Sequence, residues 1–214
     1  MTIRCTQRLL KAMRIPPAQL ADAPETDDDW SANLLWFDRR KCLLAMHAGT
    51  LFPVFLADVR AADLRQLGGL VARNAQAALA DEQLPADALG DLTARDARIA
   101  RTSSRRILGV MNEDARMCEY AIASEGGLEH TDIDALNRLL RRNLHSIPGG
   151  YATSLDTLDS KLNQRAIAPN QQTAVQAWLH TGIADTYDAV HADPSQTAMA
   201  DDLRRRRSAR RTDS

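Results

Sequence analysis

Polar side chains capable of chemistry gather at two places in this 214-residue chain: Arg39-Arg40-Lys41 and Thr102-Ser103-Ser104-Arg105-Arg106. The first is a compact positive turn between two apolar runs. The second links an apolar run to a stretch of helical spacing, so its serines can cap that helix. Guanidinium groups beside the exposed N–H groups of a helix start suit a phosphate or a carboxylate. Asn112, two turns into the same helix, can line the same cleft. The expectation is one anion site built from Arg39, Arg40, Lys41, Ser103, Ser104, Arg105, Arg106 and Asn112. The competing reading makes these arginines solvated turn residues.

No catalytic set and no metal set emerges from spacing. The five histidines, His47, His130, His145, His180 and His191, are far apart, and none has the partner four residues on that a helical metal site shows. Asp27, Asp28 and Asp29 are consecutive, so their side chains cannot all face one ion on a regular element. G-x-S-x-G, P-loop and G-x-G-x-x-G motifs are absent, and no cofactor is implied. Cys42, next to Arg40 and Lys41, is the one thiol with cationic neighbours; an apolar cysteine in a strand more often only packs.

The net charge of −1 conceals an asymmetry. Of 27 basic and 28 acidic residues, six arginines and one acid lie between Arg204 and Ser214, which leaves a body of charge −6. Arg204, Arg205, Arg206, Arg207, Arg210 and Arg211 form a basic tail that could reach nucleic acid or an acidic protein; the other reading is a solvated, disordered terminus. No apolar run approaches the roughly 20 residues that cross a bilayer, and the N-terminus has no apolar h-region. Three odd, widely spaced cysteines look like reduced thiols, so a cytoplasmic, membrane-free protein is expected.

The elements that must position these residues are organised around Trp30–Leu56. It holds all three phenylalanines and two of the three tryptophans, in three apolar runs joined by short polar connections. That is a β-meander, apolar on both faces and therefore to be covered on both. Trp36 and Phe37 should then be buried on opposite faces. Pro53 cannot donate to a ladder, which sends its strand to an edge or a bulge. Ile3–Cys5 and Ala97–Thr102 supply further strands. Helices are expected after Thr6, over 63–79 with a weak point at Gly68-Gly69, over 84–92, and from Ser103 or Ser104 with the stripe Ile107, Met111, Ala115, Cys118, Ile122. Others should open near Asp132 and Ser154. The fold class is α+β: a central, mostly antiparallel sheet built on the three-strand meander, covered by helices. This domain occupies 1–163, followed by a helical extension over 164–203 and the tail over 204–214.

Thr2-Ile-Arg-Cys-Thr with Leu9-Leu10, the run from Ala32 to Leu35, Asp38-Arg-Arg-Lys-Cys-Leu-Leu44, Thr50-Leu-Phe52 and Leu108-Gly-Val-Met-Asn112 come in a distinctive order. They resemble an uncharacterised bacterial family of domains of unknown function, found alone or ahead of plasmid ORF-3-like domains. The resemblance covers roughly residues 1–160, with Pro53 a departure from the pattern. It implies a domain boundary and brings no activity or catalytic residue. Two function classes follow: a non-enzymatic binding or regulatory module recognising an anionic partner, associated with mobile DNA through the resemblance, or a small enzyme acting on a phosphorylated or nucleotide substrate at the same basic cleft.

Overall fold

The computed structural model describes residues 1–92 and 97–165; expectations for the extension beyond 165 and for the basic tail fall outside them. A first compact unit spans Met1–Leu162, and Asn163–Ser214 forms a second. The first unit is α+β. Its strands are β1 (Thr2–Cys5), β2 (Trp30–Phe37), β3 (Arg40–His47), β4 (Pro53–Leu56) and β5 (Arg98–Arg101), in the spatial order β4-β3-β2-β1-β5. The meander is as expected: β2 pairs antiparallel with β3 from Trp30↔His47 to Phe37↔Arg40, and β3 with β4. The sheet is nevertheless mixed, because β1 is parallel to both neighbours, Ile3 facing Trp30 on one side and Ile99 on the other. Pro53 opens β4 at the sheet edge, where its missing N–H leaves no gap in a ladder.

Strict alternation along β2 and β3 feeds two separate cores. Trp30, Ala32, Leu34, Leu43 and Ala45 face one side. There they meet α1 (Gln7–Met13), α2 (Ala61–Arg65), α3 (Leu67–Asp81) and a further helix over 154–165. Leu35, Cys42, Leu44 and Met46 face the other, against α4 (Arg105–Ser124) and α5 (Ile133–Arg141). Both sheet faces are covered, which is why both alternate sets are apolar. The helices start where their caps predict. Thr6 accepts from the N–H of Leu9, Ser104 from that of Ile107, and Asp132 from those of Asp134 and Ala135. A short hairpin, β6 (His145–Ile147) with β7 (Gly150–Ala152), turns at Pro148-Gly149.

Two expectations fail for physical reasons. The stretch 84–92 forms turns instead of a helix. Gln83, at φ 56°, ends α3 in left-handed conformation, and Ala88, Leu89 and Leu92 then plug the core from an irregular loop. Trp36 and Phe37 do face opposite sides, and Phe37 packs near Phe55 with ring centroids 6.0 Å apart. Trp36, however, is 50% exposed. It stands one residue before the end of β2, beside the hairpin turn, where two surface depressions and the Lys41 ammonium border it in place of the core.

Candidate functional site

The basic turn joins β2 to β3 with only two residues, Asp38 and Arg39, at φ 47° and 62°. Both are left-handed, as in the tight turn that matches strand twist and ordinarily favours Asn-Gly. Asp38 also accepts the N–H of Leu128 at 2.7 Å, so its carboxylate pins the tip to the segment after α4. Arg40 pairs with Asp58 at 2.9 Å, both about half exposed. Lys41 lies opposite Trp36 in the ladder and holds its ammonium 5.6 Å from the centre of that ring.

The second cluster lies elsewhere. Ser103 donates to Glu25, Ser104 is occupied as the cap of α4, and Arg106 donates to the carbonyl of Ala48 at 3.2 Å. Ala48 directly follows β3, eight residues from Arg40, about 26 Å at strand rise. The convergence expected of Arg39–Lys41 and Ser103–Arg106 therefore does not occur. The reason is the path of the chain: after β5 it doubles back, and α4 starts at the His47 end of the hairpin and runs toward the tip. There Ser103, Ser104 and Arg106 face an acidic loop whose Glu25 accepts from Ser103, whose Asp27 lies near Arg106 and whose Asp29 pairs with Arg4. Lys161 beside Asp27, followed by Arg106, holds the Asp27 carboxyl below its usual range. Asn112, further along α4, lines a shallow depression near the tip with Arg8, Trp36, Phe37 and Arg116.

What the structure does gather around the tip comes from other segments. On the Trp36–Lys41 face, a groove of about 850 Å³ opens between the end of α1, the α2–α3 elbow and β5. Its charged lining among the described residues is Arg14, Lys41 and Arg65, with no carboxylate among them. A shallower depression shares Lys41 with it and adds Trp36, Arg39, Arg40 and Arg60, with Asp58 as its one acid. Arg14 caps α1 in left-handed conformation at φ 58°, its N–H donating to Leu10 and Lys11 carbonyls. Asp58 is left-handed too, at φ 55°. Of the six non-glycine residues described with positive φ, three (Arg14, Arg39 and Asp58) line these two depressions. Such conformations cost of order 1 kcal/mol or more each, and they collect where the cations do.

Arg14 and Arg65 were not singled out by the sequence. The signal for Arg14 was its place just before Ile15-Pro16-Pro17, a helix stop without the usual glycine. Asp114 was missed as well: it falls seven residues after Ile107, on the apolar stripe of α4, and is fully buried. Its Oδ1 accepts from Asn143 at 3.1 Å and lies 3.7 Å from Nε2 of buried His145. Burial pushes the Asp114 carboxyl up to about 7 and the His145 ring below its usual range.

The cysteines do not read as nucleophiles. Burial raises the Cys5 thiol to about 12 and the Cys42 thiol to about 11, and raises Cys118 further, away from the thiolate each would need. The cations beside Cys42 in sequence point along the surface while its sulfur enters the core. His47 is structural, its Nδ1 2.9 Å from the Thr50 hydroxyl and its ring edge against Trp30. Among the described residues no group of His, Cys, Asp and Glu has metal-site geometry, and no helix is long and apolar enough to cross a membrane.

Comparison with known proteins adds one assignment. No curated protein matches the chain. A model for a domain of unknown function, DUF6933, matches residues 2–157, nearly the whole first unit, including the basic hairpin and the groove beside it. The chain belongs to the DUF6933 family.

Proposed function

We propose that this domain is a non-enzymatic binding module for an anionic partner, and that the partner meets the hairpin-tip face. The observation that carries this is the convergence of Arg14, Arg39, Arg40, Lys41, Arg60 and Arg65 from separate segments onto one surface where Asp58 is the single acid among the described lining residues. Like charges brought together repel unless a counter-charge joins them, so an anion relieves the arrangement. An enzyme acting on a phosphorylated substrate would use the same face. It would also need a titratable group of shifted pKa lining it, and the groups displaced most, Asp114, Glu82 and the three cysteines, line neither depression.

Pyrophosphate is the simplest probe. Titrated into the full-length protein at low salt, it should move backbone amide resonances of residues 39–41 and 58–66. Changing Arg39, Arg40 and Lys41 together to glutamine should weaken binding at least tenfold, since each charge-assisted bond is worth about 1.5–3 kcal/mol. Changing Arg105 and Arg106 to glutamine should leave it within twofold. Equal losses from both variants, or resonance changes confined to the Ala48–Arg106 end, would refute the assignment.

A further inference from the structure

We infer that the groove beside Lys41 receives an amphipathic anion, a carboxylate or phosphate head attached to an apolar body. The inference rests on the anion-binding reading of the same face and specifies what kind of anion fits. At about 850 Å³ the groove lies within the range of small-molecule sites, roughly 300–1,000 Å³. Its walls divide by chemistry. Leu64 and Leu67, both buried, form apolar floor at the α2–α3 elbow, while half-buried Met13, Ile15 and Ile99 add apolar sides from α1 and β5. Three cations, Arg14, Lys41 and Arg65, stand on the lining with exposed or half-exposed side chains. Inorganic phosphate would satisfy these cations and leave the apolar wall wet. A neutral apolar molecule would fill the wall and leave the cations uncompensated. A molecule with both parts satisfies both.

Two details make the charged side of the groove more than a chance of surface composition. Arg14 takes a left-handed conformation that glycine adopts without a steric penalty, yet an arginine stands there among the lining residues of the groove. Asp63, the carboxylate nearest in sequence to Arg65, is occupied by the N–H of Arg60 at 2.7 Å and is not on the lining. The other depressions differ in this respect. The one between β4, α3 and α5 has its Arg141 paired with Asp81, and the one beside Arg4 has Asp29 as partner. Of the depressions described, the α1–α2 groove alone has cations and no acid among its described lining residues.

The test uses the full-length protein and probes of graded length: butyrate, hexanoate, octanoate, octyl phosphate and, as the neutral control, 1-octanol, all below their aggregation concentrations. Affinity measured by calorimetry should rise two- to fourfold per added methylene; fourfold corresponds to about 0.8 kcal/mol for a fully buried group. Octanoate and octyl phosphate should both bind, and 1-octanol at least tenfold more weakly. Ala61→Glu places a carboxylate on the groove rim, at an exposed first-turn position where an acid suits the helix. It should reduce octanoate affinity at least tenfold with the melting temperature unchanged. Arg14→Gly should weaken octanoate at least fivefold while the melting temperature holds or rises. If butyrate, octanoate and pyrophosphate bind alike, the apolar body is irrelevant; this inference fails and the anion face stands. If 1-octanol matches octanoate, the cations play no part and the inference fails. If no anionic probe binds, both readings fail.

Discussion

Replacing Asp114 with asparagine should cost about 1–2 kcal/mol at pH 4, where only the unpaired amide counts, and the cost should turn progressively into a gain as pH rises to 7. The carboxyl is fully buried on α4, with one hydrogen bond from Asn143 and its second oxygen without a partner. Burial holds it near pKa 7, whereas in the unfolded chain it titrates near its ordinary value of 3.8. Below about pH 4 it is protonated in both states and costs nothing. Between 4 and 7 the unfolded chain releases the proton and the folded one retains it, so stability falls as pH rises through this window and is flat above it. A displacement of about three units corresponds to roughly 4 kcal/mol at pH 8. Asparagine keeps the acceptor for Asn143 and carries no charge to desolvate, but it leaves an amide donor unpaired beside His145. That offset lowers the expected gain to about 2–3 kcal/mol.

His145 acts in the opposite direction. Burial holds its ring neutral, so its contribution is present above about pH 6.5 and is lost as pH falls and the unfolded chain takes up the proton. Glu113, whose charge favours the protonated ring and disfavours the Asp114 carboxylate, is the other acid acting on the pair. The wild-type profile is therefore flattened by two opposed slopes. The Asp114→Asn profile should rise with pH between 4 and 7. Urea unfolding followed by far-ultraviolet circular dichroism at half-unit steps from pH 4 to 8.5 gives both curves. A difference between the two proteins that stays constant across this range would refute the argument, because it would mean that Asp114 titrates alike in the folded and unfolded states.

Two further outcomes follow from buried polar and thiol groups. Arg141, 2% exposed, bonds Asp81 and Glu82 at 2.7 Å each and lies over the Phe52 ring; Arg141→Ala should cost about 3–5 kcal/mol in a urea titration, and a loss below 1 kcal/mol would show that the bridge is dispensable. Cys5, Cys42 and Cys118 are buried, and burial holds all three as thiols, so the folded protein at pH 8 should resist iodoacetamide at all three and the urea-unfolded protein should label fully. Rapid labelling of Cys42 in the folded state would contradict the core placement.

Much of the fold could be read from local rules. The meander, the caps at Thr6, Ser104 and Asp132, and the edge position of Pro53 all follow from side-chain periodicity, hydrogen-bonding side chains and a missing N–H, each of which acts within a few residues. The stretch 84–92 could not be read in this way, because what ends α3 and buries Leu89 and Leu92 is their fit to the core surface. For the candidate site, Arg39, Arg40 and Lys41 were legible as a cluster because they are adjacent. Whether Ser103–Arg106 joined them depended on where the chain re-entered after β5, and a turn of two or three residues there placed it at the far end of the hairpin. Arg14, Arg65 and Lys41 lie on three separate segments, and only the packing of α1 and the α2–α3 elbow on one sheet face makes them neighbours. The exposure of Trp36 was decided likewise: its alternation came from the strand, but its contact with water came from its place beside the hairpin turn, outside the packed core.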